Sequence, residues 1–189
     1  MKLSETYVSV DVETAGPNPS QYSLLSIGAC LVLDPQRTFY VELQPVNDNA
    51  LPDALAVSGL SLDELARRGR PPAEAMALFQ AWLAAEIPPD QQPLLMAFNA
   101  PFDWMFVNDY FHRFLGRNPF GHTALDLKAF YMGLTGVRWS ETGMRNVAAR
   151  YLDERQLTHH ALRDAQDQAE LFQKMLVEQV NDPNFLLER

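Results

Sequence analysis

Residues 5–12, ETYVSVDV, alternate between apolar and polar side chains, residues 24–33, LLSIGACLVL, run apolar without a break, and residues 38–43, TFYVEL, alternate again. A period of two with many β-branched residues predicts strands, and a short unbroken apolar run predicts a strand covered on both faces. Short polar connections containing Pro17, Pro19 and Pro35 make these three strands an antiparallel meander. The period then changes. Ser61 followed by Glu64 is a capping-box signature opening SLDELARRG, and Pro71 and Pro72 precede AEAMALFQAWLAAE, whose apolar residues recur at helical spacing. PLLMAF, 93–98, is a short buried strand, followed by a helix from Pro101 to Leu115 and a fifth strand in HTALDL, 122–127. Further helices are expected over 127–134, 143–151 and 160–180. Three strands followed by mixed helices and strands predict an α/β domain in which a mixed central sheet is flanked by helices. With no repeat, low-complexity stretch or long linker, residues 1–189 are expected to form one domain.

Composition sharpens this. A chain of 189 residues that is 47% hydrophobic buries a substantial core without disulfides or a structural metal. The single cysteine, Cys30, lies inside an apolar run, which predicts a buried, inert thiol and a reducing, cytoplasmic setting. No secretory leader pattern and no run of roughly 18 apolar residues is present, so no membrane association is expected. The net charge of −9 argues against a protein that coats long duplex nucleic acid. It leaves room for a short nucleic-acid substrate, because divalent cations held by carboxylates supply the positive charge a phosphate meets.

Three segments carry candidate chemistry. In VSVDVETAG, Asp11 and Glu13 stand at i and i+2 on a strand and project to one face, while Val10 and Val12 face the other way. Two anions on one face repel unless a cation lies between them; a strand end emerging into solvent accommodates the same pair without function. In AFNAPFDWMFVNDYF a strand runs into a helix, and Asp103 falls in the first helical turn, where it also favours the helix dipole. Asn99, Phe102 and Asp103 thus stand at a strand end beside which the first strand can lie. In LTHHALRDAQDQAELF a helix starting near His160 places Asp164 on the face of His160, where the two can form an ordinary surface pair. His159 precedes the helix and is freer to swing over a site. Oxygen ligands without cysteine favour Mg²⁺ or Mn²⁺, and a lone imidazole beside them suits a general base.

VDVETAG, FNAPFD and HHALRDAQ resemble, in order and across residues 7–172, the three motifs of the DEDDh group of DnaQ-like 3′–5′ exonucleases. That superfamily includes the proofreading subunit of bacterial DNA polymerase, ribonuclease T and oligoribonuclease. The resemblance implies a ribonuclease H-like fold with a mixed five-stranded sheet flanked by helices. It also implies that Asp11, Glu13, Asp103 and Asp164 hold two Mg²⁺ or Mn²⁺ ions. The third motif, H-x-A-x-x-D-A, is matched with His159 first, which makes His159 the general base and leaves His160 at the variable position. Thr14 resembles a position that approaches the terminal nucleotide, and Asp126 a further acidic position with a supporting role. The chain departs from the pattern at Phe98, where relatives often carry histidine ahead of Asn99, and at Ser26, where many carry an acid.

The activity implied is hydrolysis at the 3′ end of single-stranded DNA or RNA, releasing nucleoside 5′-monophosphates by a two-metal mechanism. Asn99, Phe102, Trp104 and Arg163 are candidate substrate contacts, although Phe102 and Phe106 at i and i+4 also suit the core. Tyr22 is a candidate wedge. Arg138 and Arg145 are candidates for touching phosphate, whereas Arg67, Arg68 and Arg70 are expected to solvate a helix end. Alternative readings are proofreading with a polymerase partner and an inactive module that binds nucleic acid or a partner. No polymerase domain or long binding tail is evident, NDPNFLLER being short, and a homodimer is neither signalled nor forbidden.

Overall fold

A computed structural model describes residues 4–153 and 158–181. The valine-rich first segment forms β1 (Ser4–Thr14), the apolar run β2 (Leu24–Leu31) and the third segment β3 (Asp34–Glu42). After α1 (Pro52–Ser58), α2 (Leu62–Arg68) and α3 (Pro72–Glu86) come β4 (Gln91–Ala97), α4 (Ala100–Leu115), β5 (Ala124–Asp126), α5 (Leu127–Thr135), α6 (Met144–Tyr151) and α7 (Ala161–Asn181). The five strands lie in the order β3-β2-β1-β4-β5. β1, β2 and β3 pair antiparallel as a meander, while β4 joins β1 and β5 joins β4 in parallel. A parallel neighbour requires a crossover, and the segment carrying α1, α2 and α3 provides it.

Two differences from expectation have local causes. Pro35 lies inside β3 rather than in a loop, because the turn consists of Val32 and Leu33 alone. Proline is tolerated there since β3 is an edge strand, and its carbonyl accepts the Gln166 side-chain amide at 2.9 Å. Helix α1 is unexpected: it buries no residue, so it carries no apolar stripe for a pattern to reveal.

Each face of the sheet has its own core. One side gathers Val8, Val10, Ile27, Phe79, Phe106 and Phe111 beneath α3 and α4; the other gathers Cys30, Met96, Leu127, Val147 and Phe172 beneath α5, α6 and α7. Cys30 is buried as expected, and burial pushes its thiol up to about 12. Helix α7 is fastened to the meander at several points, among them the Ala165 carbonyl, which accepts the Ser9 hydroxyl at 2.7 Å. It also sits unusually close to β2. A side chain at Gly28 would place its Cβ 2.2 Å from backbone atoms of Ala161 and Leu162. Backbone cannot yield as a flexible side chain does, so Gly28→Ala is expected to cost about 3 kcal/mol or more and to displace the start of α7. A melting temperature within about 2 °C of the parent would contradict that packing.

Candidate active site

Register sets the site. Across the meander, Asp11 lies opposite Gly28 and Gly28 opposite Tyr40; one pleat further, Glu13 lies opposite Ser26 and Ser26 opposite Glu42. All six therefore share the face on which α7 begins. Asp103 enters from the neighbouring strand end. Asn99 adopts a left-handed backbone (φ 66°, ψ 47°), which turns the chain from β4 directly into α4, and Pro101, second in that helix, needs no N–H there. Asp126 holds this corner, accepting the Ala100 N–H and the Ala129 N–H, each at 2.7 Å, so one carboxylate caps the starts of both α4 and α5. Asp103 is then buried and accepts the Val12 N–H at 3.1 Å.

The third segment closes the site. Asp164, in the first turn of α7, accepts the N–H groups of Thr158 (2.8 Å) and His159 (2.9 Å) as well as the Thr158 hydroxyl (3.1 Å). That clamp holds His159 in a left-handed backbone (φ 54°), a strained conformation for a residue with a Cβ. One ligand atom each from Glu13, His159 and Asp164 lies within 4.8 Å of the others. His160 turns the other way: its ring stacks on Tyr40 with centroids 4.8 Å apart. The ordinary surface pair open to His160 and Asp164 does not form, because the Asp164 carboxylate is occupied by the preceding turn and His160 Nδ1 is buried without a partner.

The electrostatics are those of crowded anions. Burial, followed by the charges of Asp103, Glu13 and Asp164, holds Asp11 well above the ordinary carboxylate range, opposed by a hydrogen bond from Gln168. Burial and then Asp164 push Glu13 up to about 8. Burial pushes Asp103 up to about 8 as well, despite hydrogen bonds that favour its charged form. Carboxylates in this state take up protons unless a divalent cation replaces them. The donor set, oxygens with one imidazole at its edge, fits a hard cation.

Gln168 escaped the sequence reading. Buried one helical turn beyond Asp164, it donates to Asp11 Oδ1 at 2.7 Å and accepts the Phe98 N–H at 2.9 Å. A lone amide on the inward face of an amphipathic helix was the available signal. Gln168→Leu is expected to weaken Mn²⁺ binding about 10–100-fold by releasing the Asp11 carboxylate. Calorimetric titration giving the parent affinity would remove that role.

The remaining candidates scatter. Thr14 is buried and its hydroxyl donates to the Gly16 carbonyl at 2.9 Å. Tyr22 lies flat against Gly16 and packs on a small cluster with Ala15, Leu25 and Leu65. Asn99 is exposed at the rim. Phe106 is fully buried and offers no stacking face; Phe102 and Trp104 are half-buried against the core. Arg68 and Arg70 pair with Glu64 and Glu74 as helix-end charges, while Arg67 is exposed. Arg163 borders a groove with Pro35, Gln36 and Thr158 beside the β2–β3 turn. Arg138 and Arg145 are exposed. The tail beyond residue 181 lies outside the described residues. Among the described residues, no helix is long and apolar enough to cross a membrane.

Comparison with known proteins shows the family and the fold. The 3′-5′ DNA exonuclease Cap18 of Escherichia coli is 45% identical over 168 residues, covering 89% of this chain and 90% of that protein. The nuclease domain of 3′hExo, a DEDDh family member solved with rAMP, superposes with a TM-score of 0.74 at 16% identity, covering 93% of each chain. Exonuclease I of E. coli, solved with a dT13 oligonucleotide, superposes with a TM-score of 0.69 at 18% identity, over 96% of this chain and 42% of that one. The exonuclease family model of the RNase T type matches residues 8–172, and the chain belongs to that family.

Proposed function

We propose that the protein is a 3′–5′ exonuclease that removes nucleoside 5′-monophosphates from single-stranded DNA, with Asp11, Glu13, Asp103 and Asp164 holding two Mg²⁺ or Mn²⁺ ions. The observation that carries this reading is the convergence of Glu13, His159 and Asp164 within 4.8 Å, beside Asp11 and Asp103, from three distant segments. When bound, the ions lower the pKa of water and neutralise charge on the phosphodiester. The chain's own residues do the rest. His159, exposed and free of the Tyr40 stack, accepts the proton of the attacking water and returns it to solvent. Asp164 orients His159 through its backbone, and Asp126 keeps Asp103 at the start of α4. Thr14 and Asn99 border the place of the terminal nucleotide. Half-buried Phe102 and Trp104 lie on the same helix. DNA is favoured over RNA by the 45% identity to a DNA exonuclease.

The test is a time course on 5′-labelled single-stranded DNA and RNA of equal sequence, in Mg²⁺, Mn²⁺ or EDTA. A ladder shortening from the 3′ end, faster on DNA and absent in EDTA, is expected. Intact substrate in every condition, or internal cleavage, would sink the proposal.

A further inference from the structure

The chain has three tryptophans; Trp82 and Trp104 pack against the core, while Trp139 is 52% exposed. An exposed indole on a floppy loop would be unremarkable, but this one sits on a built platform. Trp139 opens a short 3-10 turn, Trp139–Glu141, in which Glu141 accepts the Arg138 N–H at 3.0 Å. Thr142, fully buried, donates its hydroxyl to the Trp139 carbonyl at 2.8 Å, and the Asn146 side chain donates to the Glu141 carbonyl at 3.0 Å. The Lys128 ammonium lies 4.5 Å from the centre of the indole ring and fixes its plane.

Charge points the same way. In a protein of net charge −9, Arg37, Arg68, Arg70, Arg113, Arg150 and Lys174 are all ion-paired. Among the described residues, six cations have no acidic partner, and three of them, Lys128, Arg138 and Arg145, belong to the segment around Trp139, whereas Arg67, Arg117 and Arg163 stand singly elsewhere. The segment is also continuous with the carboxylate site. Lys128 lies in the first turn of α5, whose cap Asp126 holds the start of α4, and Asp103 stands in the first turn of α4. A flat aromatic face flanked by unpaired cations is what a single-stranded nucleic acid recognises: bases stack and phosphates meet the charges.

We infer that Trp139, with Lys128, Arg138 and Arg145, forms a subsite for single-stranded nucleic acid upstream of the nucleotide being removed. The inference rests on the exonuclease reading for the strand's polarity, but binding tests it separately. In an Asp103→Asn background with Mg²⁺, anisotropy of a 5′-labelled oligothymidylate of about ten nucleotides should show Trp139→Ala binding about fivefold or more weakly, with Trp139→Phe recovering most of the loss. Replacing Lys128 and Arg138 by alanine should flatten the salt dependence of log affinity by about 0.7 per lost phosphate contact. In the otherwise unmodified protein, Trp139→Ala should raise KM for the long strand and leave hydrolysis of a dinucleotide unchanged, as a platform upstream of the two terminal nucleotides requires. Equal binding by Trp139→Ala and its parent would overturn the subsite, and so would equal loss on long and short substrates. If the unmodified protein hydrolyses nothing, the exonuclease reading fails, and the binding difference still decides the subsite.

Discussion

Asp103→Asn is expected to leave the metal-free protein more stable than the parent and its nuclease activity at least about a thousandfold lower. Asparagine keeps an oxygen that can accept the Val12 N–H, so the link between β1 and α4 survives. What disappears is a buried charge beside Glu13 and Asp126. The sign follows from proton binding. The folded Asp103 carboxyl titrates near about 8 against an ordinary 3.8, so between those values the folded chain holds a proton that the unfolded chain has released. Its favourable contribution is complete below pH 3.8 and is lost as pH rises through about 8; Glu13, also near about 8, adds in the same direction. In EDTA the parent's melting temperature should therefore fall between about pH 5 and 8, and the fall should be shallower in the variant. At pH 8 the variant should gain about 2 kcal/mol, a few degrees of Tm, reduced by the lost helix-dipole interaction. Saturating Mg²⁺ should flatten the parent's curve. A variant less stable than its parent at pH 8 in EDTA would mean that the carboxylate's hydrogen bonds outweigh its repulsion.

Of the two adjacent histidines, only one should matter for turnover. Removing a general base costs about 10²–10⁴-fold, so His159→Ala should lose that much kcat. Alanine also resists the left-handed backbone at residue 159, which confounds chemistry with folding. His159→Asn separates them, since asparagine tolerates that conformation and has no basic nitrogen. Its melting temperature should match the parent's while kcat falls as far as in the alanine variant. His160→Ala removes the stack on Tyr40, worth about 1 kcal/mol, together with a buried nitrogen that has no partner, and should turn over within a few-fold of the parent. Loss of turnover in His160→Ala at unchanged stability would reverse the assignment.

The sheet was legible because its strands obey simple periods: β1 alternates, β2 is apolar on both faces, and the spacing of carboxylates at Asp11 and Glu13 follows from the pleat. The helices around the site were legible from caps and prolines, with α4 starting at Ala100 beside Pro101 and α7 at Ala161. Gln168 and Gly28 were not singled out, because their roles exist only across the chain. Gln168 meets Asp11 over 157 residues of sequence, and the space at Gly28 is filled by the backbone of a helix more than 130 residues later. A glycine inside an apolar strand does signal close approach, but not by what. The short α1 and the early start of β3 were missed for the opposite reason: both lie at the periphery, where little burial imprints a pattern.

The fastening of α7 to β1 has a consequence for the protein's birth. Asp11 and Glu13 leave the ribosome well before Asp164, Gln168 and the Ala165 carbonyl that receives Ser9, the hydrogen-bonded partners lying 156 and 157 residues apart. A nascent chain that has not yet delivered α7 holds three acids without the fourth and without the backbone clamp that sets His159. Until α7 arrives, the carboxylate cluster is therefore incomplete and His159 has no clamp. The carboxylate cluster is completed only when α7 arrives, the same helix that completes the second core.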